Sequence, residues 1–220
     1  MEHFHAPDGR RLAYRDTGGA GPPVLCLAGL TRNGRDFEAL ARHLAPRFRV
    51  IRLDARGRGA SERAEDPIAE YAVPVEVREA IALIDHLGLG RAAIVGTSRG
   101  GVLGMAIASG QPGRVPALVL NDVGAAIEVR GLLRIMAEIG REPRAASFEE
   151  AAEALAAANA RAFPGVDRAR WLVHARAIYD DDGTGRPRLS YDPHLRAAAA
   201  ASLDAGLDHV SLWPMFDSLE

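Results

Sequence analysis

Residues 92–101 read Ala-Ala-Ile-Val-Gly-Thr-Ser-Arg-Gly-Gly. A short apolar run ends in G-x-S-x-G, centred on Ser98, and an apolar pattern of helical spacing (Val102, Met105, Ala106) begins at once. Strand, sharp turn and helix follow one another with no linker, so the helix must fold straight back onto the strand. A serine at the apex of such a turn is crowded by chain on both sides. Gly96 and Gly100 remove the side chains that would clash there, and Gly101 lets the helix approach the sheet. In this context the segment reads as a nucleophile elbow, with Ser98 the candidate nucleophile. The same residues in an ordinary Gly-rich turn would carry only a solvated serine.

The rest of the chain supplies partners for that unit. It has 220 residues, 48% of them hydrophobic. At this size about 70% of the unfolded surface can be buried, enough for one sizeable core. The net charge of -2 and a pI near 6.4 argue against a nucleic-acid partner. All 27 basic residues are arginine. With no lysine, a Schiff-base lysine, a P-loop lysine and a Ser-Lys pair are excluded. Cys26 is the sole cysteine and lies in the apolar run 24–27, where it reads as a small buried hydrophobe. No basic-then-apolar leader and no run of membrane-spanning length is visible, which predicts a soluble, cytoplasmic protein.

Along the chain, residues 3–16 predict a hairpin turning at Asp8-Gly9. Residues 24–27 and 48–54 read as buried strands. A helix carrying Phe37, Leu40 and Leu44 lies between them and stops at Pro46. The loop after the second strand contains Gly57-Arg58-Gly59, but Glu62 stands where a dinucleotide fingerprint needs glycine, so that reading is rejected. Residues 74–87 predict a helix with Val77, Ile81 and Ile84 on one face and Gly88 at its end. After the Ser98 unit, residues 117–121 predict one more buried strand. Strands thus alternate with helices, the pattern of an α/β fold with a parallel, doubly wound sheet. From 125 to 211 only helices are expected, near 128–139, 148–162, 167–179 and 193–203, with no buried strand. The acidic stretch 180–185 lacks the ligand spacing of a calcium loop and reads as a solvated turn.

With these elements placed, the chain resembles the α/β-hydrolase family. Four blocks carry the resemblance. Leu27-Ala28-Gly29-Leu30 resembles its oxyanion loop, residues 54–61 its D-x-R-G-x-G-x-S loop, residues 96–100 its nucleophile elbow, and residues 120–124 the strand end leading into its lid. The resemblance implies an α/β-hydrolase core over 1–124, a helical cap over 125–211, and the start of a C-terminal core segment over 212–220. It implies that Ser98 attacks a carbonyl carbon and that the backbone N–H groups of Leu30 and Arg99 form the oxyanion hole. The Arg99 side chain is expected in a salt bridge or in solvent. A serine at the elbow departs from the haloalkane dehalogenase and epoxide hydrolase branches, which use Asp.

The family closes its triad with an acid and then a histidine, late in the chain. Neither is found before Glu220. The sequence resembles roughly the first three-quarters of such an enzyme. Asp122, after the strand following Ser98, is the one candidate acid. None of His3, His5, His43, His86, His174, His194 and His209 sits where the family's base would. None shows metal spacing, and neither metal nor cofactor is expected.

Two functions remain. One is a serine hydrolase of a carboxylic ester, lactone or similar small acyl substrate, esterase- or lactonase-like and catalytically incomplete as given. The other is a non-catalytic ligand-binding or interaction protein on a truncated hydrolase scaffold. A sheet ending at 117–121 would expose an edge, predicting association through that edge or with a missing C-terminal segment.

Overall fold

The computed structural model describes residues 1–203 and 208–219. The expected segments 125–211 and 212–220 therefore lie outside the described residues at 204–207 and at 220. The hairpin forms as the Asp8-Gly9 signal requires: β1 (Glu2–His5) pairs antiparallel with β2 (Arg11–Asp16), and Gly9 takes φ +88° in the turn. Then come β3 (Pro23–Leu27), a 3-10 turn (Gly34–Phe37), α1 (Glu38–Leu44), β4 (Arg49–Asp54), α2 (Pro67–Glu70) and α3 (Val73–His86). The core closes with β5 (Ala93–Thr97), α4 (Arg99–Gly110) and β6 (Leu118–Asn121). The remainder comprises β7 (Ala126–Glu128), α5 (Val129–Glu138), α6 (Phe148–Asn159), α7 (Arg168–Ile178), β8 (Tyr179–Asp181), β9 (Pro187–Leu189), α8 (Leu195–Ala201), β10 (His209–Ser211) and α9 (Trp213–Phe216).

The main sheet runs β1-β2-β4-β3-β5-β6, parallel from β4 to β6, with the hairpin added antiparallel at one end. From β3 the chain crosses to β4 on one side; β5 lies on the other side of β3 and leads on to β6. The winding therefore reverses between β3 and β5, which opens a crevice at their carboxyl ends. Apolar side chains cover both faces, as buried parallel strands demand. On one face Leu25, Leu27, Ile51 and Ile94 pack under Leu83, Ile84, Leu103 and Ile107 of α3 and α4. On the other, Val24, Cys26 and Val50 pack under Phe37 and Ala41. Burial pushes the Cys26 thiol up to about 12, so it is an inert core residue.

Three expectations are corrected. The strand at 117–121 is not buried: β6 is the sheet edge among the described residues, and Val119 is 53% exposed. The edge reading holds in place of the buried one. The predicted face of α3 is one flank of a wider buried side: Ile84 is buried and Val77 and Ile81 pack half-buried against the core, while Glu76, Glu79, Ala80 and Leu83 are buried beside them. Beyond 125 the expected helices form, but two ribbons join them, β8 with β9 and β10 with β7, and Pro187 and Leu189 of β9 are buried. Strands of three residues are too short to show alternation in sequence. Of the stretch 180–185, Asp180 and Asp181 belong to β8, with Asp180 half-buried and paired with Arg35 at 2.7 Å. Residues 182–185 form the exposed turn of the first ribbon, with Asp181 Oδ1 accepting from the Gly183 and Gly185 N–H groups.

α3 presents two glutamates to the interior because the loop after β4 presents two arginines there. The Arg56 guanidinium is 1% exposed and pairs with Asp8 at 2.6 Å, with Glu79 at 2.5 Å, and with Glu70. Burial drives the Glu79 carboxyl up to about 7 although Arg56 opposes it, and its Oε2 has no partner among the described residues. The folded chain thus keeps a proton that the unfolded chain releases near the ordinary value of 4.5. The stability this group contributes is full below that value and is lost as pH rises through about 7. We therefore expect the melting temperature of the protein, minus that of a Glu79→Gln variant, to fall across this interval. A difference independent of pH would contradict the assignment.

Candidate active site

Ser98 is the first residue after β5 and the residue before α4. Its backbone takes φ +50°, ψ -114°, a conformation that non-glycine residues rarely adopt. The turn is held by the Ser98 N–H donating to the Asn121 carbonyl at 2.9 Å, and by the Gly101 and Val102 N–H groups donating to the Ser98 carbonyl. The glycines are required by contact. A Cβ on Gly96 would lie 2.4 Å from the Gly100 carbonyl oxygen, and one on Gly100 would lie 2.0 Å from the Leu27 carbonyl oxygen. One on Gly101 would meet Val123 at 2.4 Å. The first turn of α4 is therefore pressed against the end of β3.

That approach brings the 28–30 loop beside the serine. A Cβ built on Gly29 would stand 3.8 Å from the Ser98 Cβ. Leu30 is half-buried, and its carbonyl accepts from Arg58 Nε at 2.8 Å. Among the described residues neither the Leu30 N–H nor the Arg99 N–H has a hydrogen-bond partner. The Arg99 N–H belongs to the first turn of α4, where unpaired donors and the helix dipole favour negative charge. The site thus brings together a serine in a strained turn, the adjoining 28–30 loop and two backbone N–H groups without partners among the described residues.

The loops around the site are fastened by Asp54, which is fully buried. Its carboxylate accepts from the Gly34 N–H at 2.8 Å, the Ala60 N–H at 3.1 Å and the Arg15 guanidinium at 3.2 Å. Gly59, at φ +55°, leaves room for it: a Cβ there would lie 2.3 Å from Asp54 Oδ2. Ser61 Oγ donates to the Asp54 carbonyl and accepts from the Ala13 N–H at 2.8 Å. The spacing of Asp, Gly and Ser in residues 54–61 is thus a scaffold that joins β2, β4 and the loop after β3.

The Arg99 side chain is salt-bridged, with Nε 2.7 Å from Glu76 Oε2 and Nη2 donating to the Tyr71 carbonyl at 2.9 Å. Asp122 sits at φ +55°, exposed, and no histidine is hydrogen-bonded to it among the described residues. All seven histidines are exposed, and none is hydrogen-bonded to Ser98 among the described residues. Among the described residues His194 alone joins a buried carboxylate: its Nδ1 is 2.8 Å from Asp192 Oδ1, and Tyr71 Oη donates to Asp192 Oδ2 at 2.6 Å. Burial would raise the Asp192 carboxyl, but the hydrogen bonds from Tyr71 and His194 hold it below the ordinary value. Sequence reasoning missed this group and the Arg58–Glu76–Arg99 chain. The only signal was two glutamates three apart on a predicted helix, with two arginines two apart in a loop. Among the described residues no group of three or more His, Cys, Asp or Glu is placed to hold a metal, and no helix is long and apolar enough to cross a membrane.

A parallel sheet with its winding reversed at a strained serine, glycine-packed against a donor loop, defines the α/β-hydrolase class. The comparisons agree: residues 22–187 match the family model for the alpha/beta hydrolase fold, and the chain belongs to that family. It is 35% identical over 219 residues to a 3-hydroxybutyrate-oligomer hydrolase of Cupriavidus necator, covering 96% of this chain and 73% of that protein. It is 30% identical over 190 residues to a 2-(acetamidomethylene)succinate hydrolase of Mesorhizobium japonicum, covering 86% of this chain and 64% of that protein. The crystal structure of an α/β hydrolase from Novosphingobium aromaticivorans superposes with a TM-score of 0.89 at 37% identity, over 99% of this chain and 76% of the other.

The glycine packing predicts a specific sensitivity. Gly100→Ala places a methyl group inside the Leu27 carbonyl's van der Waals radius, and neither backbone can yield freely. A loss of about 1–3 kcal/mol or more in urea unfolding is expected. Gly110→Ala, at a position with nothing within 4 Å, is the control and should change stability far less.

Proposed function

We propose that this chain carries the nucleophile and oxyanion hole of a serine hydrolase acting on a carboxylic ester, lactone or similar small acyl compound. The observation that carries the reading is the strained Ser98 at the tip of the β5–α4 turn, beside the unpaired Leu30 and Arg99 N–H groups. Ser98 Oγ bonds to the carbonyl carbon, and the π pair of the C=O moves onto its oxygen. The two N–H groups and the positive end of α4 bind that oxyanion, and each such donor contributes ~10²–10³ in rate. The proton shed by Ser98 Oγ on attack passes to solvent. The leaving group takes one up and departs as the alcohol while the carbonyl reforms. Water then adds to the acyl carbon, giving the free acid and restoring the Ser98 hydroxyl. The relatives named as hydrolases support hydrolysis as the reaction. The α5–α8 region is proposed to cover the site as a cap.

The Ser98 proton needs an acceptor, and among the described residues no histidine or carboxylate is hydrogen-bonded to the serine. That observation favours, as a second reading, a scaffold that binds acyl ligands without turning them over. It also fits a hydrolase whose base and acid come from a further segment docking on the β6 edge. The partner in each case is a small acyl molecule.

The readings separate in one assay. Under the hydrolase reading the 220-residue chain hydrolyses an aryl ester only about 10³–10⁴-fold above the uncatalysed rate, the residue left when triad members are lost. That residue comes from the donors and substrate binding and is expected to survive Ser98→Ala, whereas a fluorophosphonate labels Ser98 itself. Ser98→Ala should abolish the labelling. Labelling unchanged in Ser98→Ala would overturn the reading, and ligand binding with no labelling at all would favour the second.

A further inference from the structure

Glu76 is an unusual residue for the middle of a core. It lies in α3, 1% exposed, and both its oxygens are used. Oε1 accepts from Arg58 Nη1 at 2.5 Å, and Oε2 accepts from Arg99 Nε at 2.7 Å. Each arginine then reaches one side of the crevice. Arg58, also 1% exposed, donates through Nε to the Leu30 carbonyl at 2.8 Å. Arg99 is itself the residue whose N–H points out of the α4 terminus, and its Nη2 ties back to the Tyr71 carbonyl at 2.9 Å. The Arg58 guanidinium is further clamped over the Tyr71 ring, 5.3 Å from its centroid. Burial alone would raise the Glu76 carboxyl, but Arg58 and Arg99 outweigh it and hold it below the ordinary value, so it stays ionised.

We infer that Glu76 is a positioning residue which, through Arg58 and Arg99, fixes the two oxyanion donors Leu30 and Arg99 relative to each other. This rests on the reading of Ser98 and its donors given above. The donors come from segments 69 positions apart, one after β3 and one after β5. No direct hydrogen bond between them sets their separation. Besides the contact of α4 with Leu27, one buried carboxylate links them, holding Arg99 directly and Leu30 through Arg58, and a carboxylate offers two acceptors at a fixed spacing. A donor misplaced by a fraction of an ångström forfeits much of its effect on a developing oxyanion.

The sign of the effect separates positioning from charge. Neutralising Glu76 leaves two guanidinium groups uncompensated near the oxyanion, and by electrostatics alone this speeds attack. Loss of positioning slows it. Glu76→Gln keeps the size and one acceptor but turns an N–H toward a guanidinium.

The test measures the rate at which a fluorophosphonate phosphonylates Ser98, together with the NMR order parameters of the backbone amides at positions 30 and 99. Glu76→Gln should label about 10²-fold more slowly and lower the order parameter of both amides. Arg99→Met retains the Arg58 arm and should lower it at position 99 but not at Leu30; it decides the matter if Glu76→Gln fails to fold. A double Glu76→Gln, Arg99→Met variant should lose less than the sum of the two. Labelling at or above the native rate, with both order parameters unchanged, overturns the inference and leaves Ser98 standing. No labelling of the native protein at Ser98 overturns the underlying reading and this inference with it.

Discussion

The close approach of α4 to the end of β3 governs this structure. Two backbones meet where only glycine fits, Gly100 against the Leu27 carbonyl and Gly96 against Gly100 itself. The approach forces Ser98 into a positive-φ turn, aims the α4 amino terminus at the crevice, and sets the 28–30 loop beside the serine. Strain of this kind persists only where the surroundings over-determine it. Here the hydrogen bond from Ser98 to Asn121 on β6 and the packing of Leu103 and Ile107 beneath the sheet do so.

Around that contact the chain spends buried charge. Arg56, Arg58, Glu76, Glu79 and Asp54 are all nearly inaccessible, and together they link the hairpin, α3, the loop after β4 and the elbow. Replacing such pairs with apolar groups is often neutral for stability, whereas deleting one partner is strongly destabilising. Their value lies in direction: guanidinium forks and carboxylates fix where loops sit, which apolar packing does less well. Arginine suits this, being always charged and able to donate along several directions at once.

Much of the fold was legible because it is written in local pattern. The hairpin at Asp8-Gly9, the buried strands, the helices of the second half and the strand–serine–helix unit each carry their own periodicity or turn chemistry. What the sequence hid was cooperative. Glu76 and Glu79 look like surface charges until Arg56 and Arg58 are placed opposite them, so the predicted face of α3 took in only one flank of the buried side. β6 reads as buried because its residues are apolar, yet burial depends on neighbours that composition does not reveal. The candidate site divides in the same way. Ser98, Leu30 and Arg99 follow from motif and position, while the side chains that hold them come from remote parts of the chain.

The most direct measurement is a crystal structure of the phosphonate adduct. The account predicts phosphorus bonded to Ser98 Oγ, with one phosphonyl oxygen about 2.7–3.1 Å from both the Leu30 and Arg99 backbone nitrogens. An adduct on another residue, or a phosphonyl oxygen turned away from both nitrogens, would contradict it.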